Sequence, residues 1–580
     1  MEKYLKRYID WLTSDYIDED TRAELKAIKD DENEIKTRFL SFMEFGTGGL
    51  RSKMCAGDGM MNIYTVAHAT AGAAQAVLEA FPDARERGVI IGYDCRNNSA
   101  RFARRCAEVM TAYGIKVYLF DELRPTPMLS FGVRHFGCAA GINITASHNP
   151  AVYNGYKFYW EDGAQPTFQI ADKVSAFMQS TDIFSVPKPE DADESLITMV
   201  GRDFDELFIS NVLSEGVYPD MIAKAADDLQ VVYTPLCGCG YRIVPDVLHR
   251  VGVKNLFTVD AQMTPNGNFP GLPKPNPEYP AAFIEAIKVA EKVNSDIIIA
   301  NDPDADRIGV MARDRSGEFK CVTGNQMGSL LLDYIFTALE EKGKMPEKPF
   351  AVKTIVTSEM ATAICKKHNV ELDNCLTGFK NIAEAVARHE NTDHGAFLLG
   401  YEESYGYMKG SYSRDKDGVV AAMLICEMAA YYSLRGMTLI DAIDELYKKY
   451  GYYMEYSAEI YMEGLDGKDK IAAMMEKLRN MVPETLAGSR VVNVRDYLAQ
   501  TSKNVLTGEV TGTGLASSNV MYYLAENGCV VVARPSGTEP KIKFYILANG
   551  KDYENASENA RSCTNTLEDM LGLPHDSLKK

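Results

Sequence analysis

The stretch Asp296-Ile297-Ile298-Ile299-Ala300-Asn301-Asp302-Pro303-Asp304-Ala305-Asp306-Arg307 joins a short apolar run to a loop with three carboxylates at alternate positions. The apolar part reads as a strand, and the polar turn that stops it reads as a site. The same order (apolar run, polar or Gly-rich loop, helical segment) recurs along the chain. Val89–Asp94, Lys116–Phe120 and Ala139–Thr145 form one group, and Leu229–Tyr233, Asn255–Val259 and Asp296–Ala300 a second. Phe350–Val356 and Ala396–Leu399 form a third, with helix-like segments such as Ile382–Arg388 between them. Alternating strand and helix signals predict α/β layers with mostly parallel strands, and ligands gather outside the carboxyl ends of such strands. The C-terminal part differs: Val530–Ala533 and Ile542–Leu547 flank a loop and Tyr553–Leu571 looks helical, which fits a smaller α+β module. Pro187–Glu194 and Gly343–Lys348 read as linkers or surface loops, and Pro265–Pro280 as a long structured loop.

The chain has 580 residues, room for about three to five domains. At 46% hydrophobic and 25% charged it has ordinary globular composition, which excludes a disordered or fibrous chain. Lys and Arg number 62 against 81 Asp and Glu, a net charge of −19. That surface repels nucleic acid and anionic membranes, so neither is an expected partner. Met1–Leu12 lacks a signal-peptide core and reads as an amphipathic helix, with Tyr4, Tyr8 and Leu12 on one face beside Leu5 and Ile9. The apolar run Val419–Cys426 is too short to cross a bilayer. Twelve scattered cysteines are expected to be reduced thiols in a cytoplasmic protein; the one Cys-x-Cys, Cys237 and Cys239, leaves zinc as the alternative.

Three carboxylates on a tight loop repel one another by about 3 kcal/mol per pair at ~5 Å and an effective dielectric near 20. A hard divalent cation offsets that repulsion, and all-oxygen ligation favours Mg2+ over zinc. It is no EF-hand loop, since the sixth-position Gly and twelfth-position Glu are missing and Arg307 occupies the former. The plain alternative is an acidic turn that caps a helix. Thr145-Ala146-Ser147-His148-Asn149-Pro150 sets a hydroxyl beside an imidazole on a turn. Sequence neighbours of this kind are expected to point apart, so a helix-capping turn stays open. No Gly-x-Ser-x-Gly occurs, which disfavours a hydrolase elbow. Asn154-Gly155-Tyr156-Lys157 offers an acid/base lysine or a solvated surface charge. Arg534-Pro535-Ser536-Gly537-Thr538-Glu539-Pro540-Lys541 combines an Arg fork, two hydroxyls and a Gly, either a phosphate cradle or a hairpin turn. Gly400-Tyr401-Glu402-Glu403-Ser404-Tyr405-Gly406 suits sugar hydroxyls. Phe45-Gly46-Thr47-Gly48-Gly49-Leu50-Arg51 puts an arginine beside a glycine turn, and Thr377-Gly378-Phe379-Lys380 a lysine on one.

Taken together, in this order, these loops resemble the α-D-phosphohexomutase family over nearly the whole chain. The resemblance implies four domains around a central cleft, three related α/β domains with mixed sheets and a smaller C-terminal α+β domain. They are expected at 1–205 with the phosphoserine loop, 206–322 with the metal loop, 323–445 with the sugar loop and 446–580 with the phosphate loop. It implies that Ser147 is the phosphorylated nucleophile and that Asp302, Asp304 and Asp306 hold Mg2+, with the group on Ser147 as a further ligand. Lys157 is then general acid/base, and Arg51, His148 and Arg307 support the phosphoryl group. Lys380, Glu402 and Ser404 would meet the sugar, and Arg534, Ser536, Gly537 and Thr538 its phosphate.

One departure stands out: Thr234-Pro235-Leu236-Cys237-Gly238-Cys239-Gly240 replaces the family's Thr-Pro-Leu-His-Gly-x-Gly. This segment is expected to touch none of the functional loops. The length, and Tyr401 and Tyr405 around Glu-Glu-Ser, look like the longer bacterial phosphoglucomutases, which border on phosphopentomutases. The implied reaction interconverts glucose 1-phosphate and glucose 6-phosphate through a bisphosphate, with glucose 1,6-bisphosphate as activator and closure of the fourth domain to exclude water. Mannose or pentose phosphate as substrate, a Mg2+-dependent phosphosugar phosphatase, and an inactive phosphosugar-binding protein are the alternatives. The expected state is monomer or homodimer.

Overall fold

The computed structural model describes residues 2–578 except 44, 47, 48, 226, 393, 394, 463–466 and 537–540. The chain forms two compact units, residues 1–322 with 406–436 and residues 323–405 with 437–580.

The first unit opens with three helices, Lys3–Thr13, Glu19–Ala27 and Glu32–Phe39, the latter two capped by Asp18 and Asp31. They close on an aromatic core of Tyr4, Tyr8, Trp11 and Phe39. Ile9, expected on the buried face, is instead exposed at 37%, because Trp11 takes that face and packs edge-on against Phe39 and Tyr64. Six strands then form one sheet: β1 (Gly49–Lys53), β2 (Val89–Tyr93), β3 (Val117–Phe120), β4 (Ala140–Ile144), β5 (Tyr153–Trp160) and β6 (Ile197–Val200). Their order is β1-β5-β4-β2-β3-β6, parallel from β4 to β6, with β5 antiparallel to both β4 and β1. Every residue of β4 is buried, as a strand covered on both faces requires. The Pro187–Glu194 stretch is a surface loop inside this domain, since β6 follows it and completes the sheet.

A second sheet contains β7 (Gln230–Thr234), β8 (Asn255–Thr258), β9 (Ile297–Asn301), β10 (Ile308–Arg313) and β11 (Phe319–Val322), in the order β11-β10-β9-β7-β8. β7, β8 and β9 run parallel, while β9–β10 and β10–β11 are antiparallel hairpins. The Asp302–Arg307 loop is the turn of the β9–β10 hairpin, at the carboxyl end of a strand with every residue buried. After β15 (Gly406–Met408), the helix Gly418–Ser433 is buried from Gly418 to Tyr432, which accounts for the apolar run read there. Among the described residues no helix is long and apolar enough to cross a membrane.

In the second unit β12 (Pro349–Thr354) lies between parallel partners β13 (Glu371–Cys375) and β14 (Ala396–Glu402). The last sheet is antiparallel throughout. It runs β16 (Tyr452–Tyr461), β23 (Lys541–Gly550), β22 (Val530–Pro535), β21 (Met521–Ala525), β18 (Ser489–Asp496), β19 (Thr501–Asn504), β20 (Val510–Gly512), with the short β17 (Thr485–Leu486) on β18. The Tyr553–Leu571 helix, capped by Asp552, packs on β23 and β16. The architecture is therefore α/β with four domains: three with parallel-centred sheets, and a sheet-rich fourth.

Candidate active site

Ser147 sits just beyond the end of β4, 3% exposed, with φ of +49°. A non-glycine residue in the left-handed region costs free energy, so its neighbours must hold it there. Its amide donates to Thr145 Oγ1 at 2.9 Å, and its Oγ donates to Asp302 Oδ2 at 2.8 Å. His148 Nδ1 lies 3.2 Å from the same Oγ, so the two neighbours converge rather than point apart. The left-handed turn at Ser147 is what brings them together. Burial, then Arg307 and Arg51, push His148 well below the ordinary imidazole pKa, so the ring is neutral at pH 7.

The three aspartates are essentially fully buried, and one oxygen of each lies within 4.8 Å of the others. Ala305, at φ +52°, tightens the loop, and its amide donates to Asp302 O at 2.9 Å. Asp304 Oδ2 accepts from Thr126 Oγ1 at 2.8 Å and from Lys157 Nζ at 2.7 Å; Asp306 Oδ2 accepts from Lys157 at 3.0 Å. Lys157 comes from β5, whose antiparallel pairing sets it opposite Asn143 of β4. Burial alone would lower the pKa of Lys157, but Asp304 and Asp306 more than offset that and raise it. Burial raises Asp302, and Asp304 and Asp306 add to the rise; Asp304, although buried, is held well below the carboxylate range by Lys157. Asp304 Oδ1 and Asp306 Oδ1 are buried without a hydrogen-bond partner. Two orphaned carboxylate oxygens beside a third carboxylate form a hard-oxygen donor set that fits a divalent cation. Among the described residues this is the one such group; all twelve cysteines are free thiols, and Cys237 and Cys239 belong to no metal-capable cluster.

Arg51 lies on β1, exposed, and reaches Asn149 Oδ1 of the serine loop at 2.9 Å. Arg307 ties the end of the aspartate loop: its amide donates to Asp302 Oδ1 at 3.0 Å, and its guanidinium pairs with Glu278 from the Pro265–Pro280 loop. The Thr234–Gly240 segment does touch the aspartate loop, against expectation. The Cys239 amide donates to Pro303 O at 2.8 Å, and a Cβ at Gly238 would stand 2.4 Å from Pro303 Cα. Glycine is required there by that close approach, whatever the flanking residues.

Within the second unit, Glu402 ends β14 and is buried. Its neighbour Glu403 accepts from Thr357 Oγ1 at 3.3 Å, and burial together with Glu402 pushes it up to about 7. Lys543 and Arg534 partly counter that rise, which places both cations in the field of the same carboxylates. Arg534 is opposite Lys543 in the β22–β23 ladder, and the Ser536 amide donates to Lys541 O at 2.8 Å. Lys380 is in the first turn of the Phe379–Asn391 helix, its pKa lowered by burial, and Ser404 is half-buried. Gly537 and Thr538 lie outside the described residues.

Residues 43–183, 206–317 and 323–450 match the models for α/β/α domains I, II and III of phosphoglucomutase/phosphomannomutase. A phosphoglucomutase of Staphylococcus haemolyticus is 35% identical over 531 residues, covering 90% of this chain and 93% of that one. The chain belongs to the phosphoglucomutase/phosphomannomutase family. One phosphoglucomutase of Staphylococcus aureus is 34% identical over 538 residues, 92% and 95% of the two chains. Two solved structures share the fold at 15% identity: the open form of parafusin, a phosphoglucomutase of Paramecium, with TM-score 0.65 over 93% of this chain and 98% of that one, and a family protein of Burkholderia thailandensis, with TM-score 0.64 over 91% and 97%. The chain is thus an isomerase of the phosphohexomutase type.

Sequence reading missed four groups in this mutase fold. Thr126, which also accepts from Asn143 Nδ2 at 2.8 Å, orients Asp304. Lys416, 3.3 Å from Asp306 and 3.2 Å from Asp415, is a second buried cation at the aspartates. Glu278 holds Arg307, and Asp94 with Arg96 lies beneath the serine loop. The run Arg414-Asp415-Lys416-Asp417, four charges beside an apolar helix, was a signal available in the sequence.

Proposed function

We propose that the chain is a phosphoglucomutase that interconverts glucose 1-phosphate and glucose 6-phosphate through phospho-Ser147 and glucose 1,6-bisphosphate. The observation that carries this reading is the Ser147 Oγ, 2.8 Å from Asp302 in a pocket with three aspartates and Lys157. Asp302, Asp304 and Asp306 would hold Mg2+, which supplies positive charge to the spreading negative charge of phosphoryl transfer. Phospho-Ser147 gives its phosphoryl group to the free hydroxyl of the sugar phosphate, and the other phosphate of the resulting bisphosphate returns to Ser147. In that return, the sugar oxygen that loses its phosphoryl group takes a proton from Lys157. In the opposite half-reaction the attacking sugar hydroxyl gives its proton to Lys157 while the released Ser147 oxygen takes one up, and Ser147 gives that proton up again when it is rephosphorylated. The raised pKa of Lys157 suits the donor role. Arg51 and Arg307 steady the transferred group, and His148, neutral, stays a hydrogen-bond partner to Ser147.

Glu402, Ser404 and Lys380 serve the sugar, and Arg534, Ser536, Gly537 and Thr538 its second phosphate. The division 1–205, 206–322, 323–445 and 446–580 assigns one sheet and one functional loop to each domain, and the four sheets support it.

Phosphorus NMR with Mg2+, trace glucose 1,6-bisphosphate and glucose 1-phosphate tests the reading, with mannose 1-phosphate and ribose 1-phosphate in parallel. Growth of glucose 6-phosphate, ahead of the other sugars, is the expected result. Release of inorganic phosphate alone would make the chain a phosphatase, and faster turnover of another sugar would reassign the substrate. Ser147→Ala should fold and lose all turnover; a variant that keeps more than a few per cent of activity removes Ser147 from the nucleophile role.

A further inference from the structure

The strained turn at Ser147 is held from below by two residues at the end of β2. Arg96, its side chain fully buried, donates from one terminal nitrogen to Ser147 O and Asn149 O, each at 2.5 Å. From the other it donates to Pro150 O at 3.0 Å and Tyr153 O at 3.1 Å. One guanidinium thus gathers four carbonyls from the serine loop and the start of β5. Asp94, buried, pairs with Arg96 Nε at 3.2 Å and accepts from Thr145 Oγ1 and Ser99 Oγ, each at 2.7 Å. Thr145 Oγ1 in turn accepts the Ser147 amide at 2.9 Å. Both backbone polar groups of Ser147 are therefore fixed by the Asp94–Arg96 pair, the carbonyl directly and the amide through one hydroxyl.

The Pro265–Pro280 loop covers this pair. The Phe269 ring centroid stands 5.0 Å from the Arg96 guanidinium carbon. Gly267 lies so near that a Cβ there would be 2.3 Å from the Asn97 amide, and Asn97 Nδ2 donates to Asn268 Oδ1 at 2.8 Å. The same loop supplies Glu278 to Arg307. It keeps water from Arg96, where charge-assisted hydrogen bonds in a dry site are strong and directional.

We propose that Arg96, backed by Asp94 and Thr145, is the positioning residue that holds the Ser147 turn in its left-handed conformation for phosphoryl transfer. Arg96 does not reach the Ser147 hydroxyl in this arrangement; it acts through the backbone. The inference rests on the reading of Ser147 as nucleophile. Lysine in its place keeps the charge but cannot span four carbonyls in a planar fork.

Arg96→Lys and Thr145→Val test it, the second being an isosteric change that leaves Arg96 intact. Both should lower kcat about 10- to 100-fold, the scale of a sub-ångström to ångström misplacement, with KM for the sugar phosphate within about threefold. Backbone hydrogen exchange should quicken at least about tenfold across 145–153 and stay unchanged in the Phe379–Asn391 helix, since local opening is read segment by segment. If Arg96→Lys does not fold, Thr145→Val decides. Exchange that quickens everywhere would show a merely structural role and overturn the proposal, as would a loop that exchanges as before, or one that loosens with kcat kept. Failure of the underlying reading is seen separately, as activity retained by Ser147→Ala.

Discussion

Lys157 carries two duties, and they can be separated. It is 9% exposed and donates to both Asp304 and Asp306, so its charge neutralises part of a buried anionic cluster. It is also the proton carrier in the proposed reaction. Lys157→Met keeps the length and most of the volume of the side chain but removes the proton and the charge. Loss of general acid/base help is worth about 10²- to 10⁴-fold, so kcat should fall by that range with KM little changed. Taking one cation away from Asp304 Oδ2 and Asp306 Oδ2, which keep Thr126 and Lys416 respectively, should also tighten divalent-ion binding, because the metal ion then faces carboxylates with less compensating charge. Steady-state kinetics with a Mg2+ titration reads both effects; a variant with kcat within threefold of wild type would remove Lys157 from proton transfer. At this scale the sequence pointed to the serine, histidine and aspartates that the structure brings together, since the three alternate aspartates and the Thr-Ala-Ser-His-Asn-Pro turn are each contiguous. It hid their supports. Arg96 binds carbonyl oxygens more than fifty residues away, and a carbonyl has the same sequence signature everywhere.

Among the elements, the three N-terminal helices lie wholly before the first family-model match, which begins at residue 43. They meet the α/β domain at Asp58, which accepts from Trp11 Nε1 at 2.6 Å and lies 3.5 Å from Arg7. Burial raises Asp58 to about 6, despite the opposing effects of Trp11 and Arg7. A folded-state pKa above the ordinary aspartate value of about 3.9 means that folding favours the protonated acid. Stability from this group is therefore highest below about pH 4 and falls as pH rises to about 6, then stays at its lower level. Asp58→Asn retains an acceptor for Trp11 and carries no charge. It should be more stable than wild type by roughly 1–3 kcal/mol above pH 6, and the advantage should vanish near pH 4. Thermal unfolding from pH 4 to 8 measures this, and a variant no more stable at pH 7.5 would refute the burial argument. Elements differed in legibility for a physical reason. The Tyr553–Leu571 helix was read to the residue because it is long, amphipathic and capped by Asp552. β16 was not read because almost all of its residues are half-buried, so it has no alternation of polar and apolar faces to detect.

For the whole molecule, the division into two units gives the proposed cation a local address. The chain passes between the units at 322/323, 405/406 and 436/437, so each is built from discontinuous sequence, a feature that local patterning cannot reveal. All three aspartates, with Lys157, Thr126 and Lys416, belong to the first unit. An ion that binds the native state alone stabilises it by RT ln(1 + [L]/Kd), about 2.7 kcal/mol at a hundredfold excess over Kd. A chain of this size is not expected to unfold in one step, and heating should resolve separate transitions. Saturating Mg2+ should raise the transition of the first unit by a few degrees and leave that of the second where it is. Chelation should return the first transition to its starting point and abolish turnover, with both recovered on Mg2+ addition. Asp304→Asn removes one carboxylate of the cluster while leaving an oxygen to accept from Thr126, so this variant should fold but lose the Mg2+-dependent shift. Calorimetry of wild type and variant with and without Mg2+ decides the matter. An equal shift in Asp304→Asn would place the ion elsewhere, and equal shifts in both transitions of the wild type would show that the ion is not held by the first unit alone.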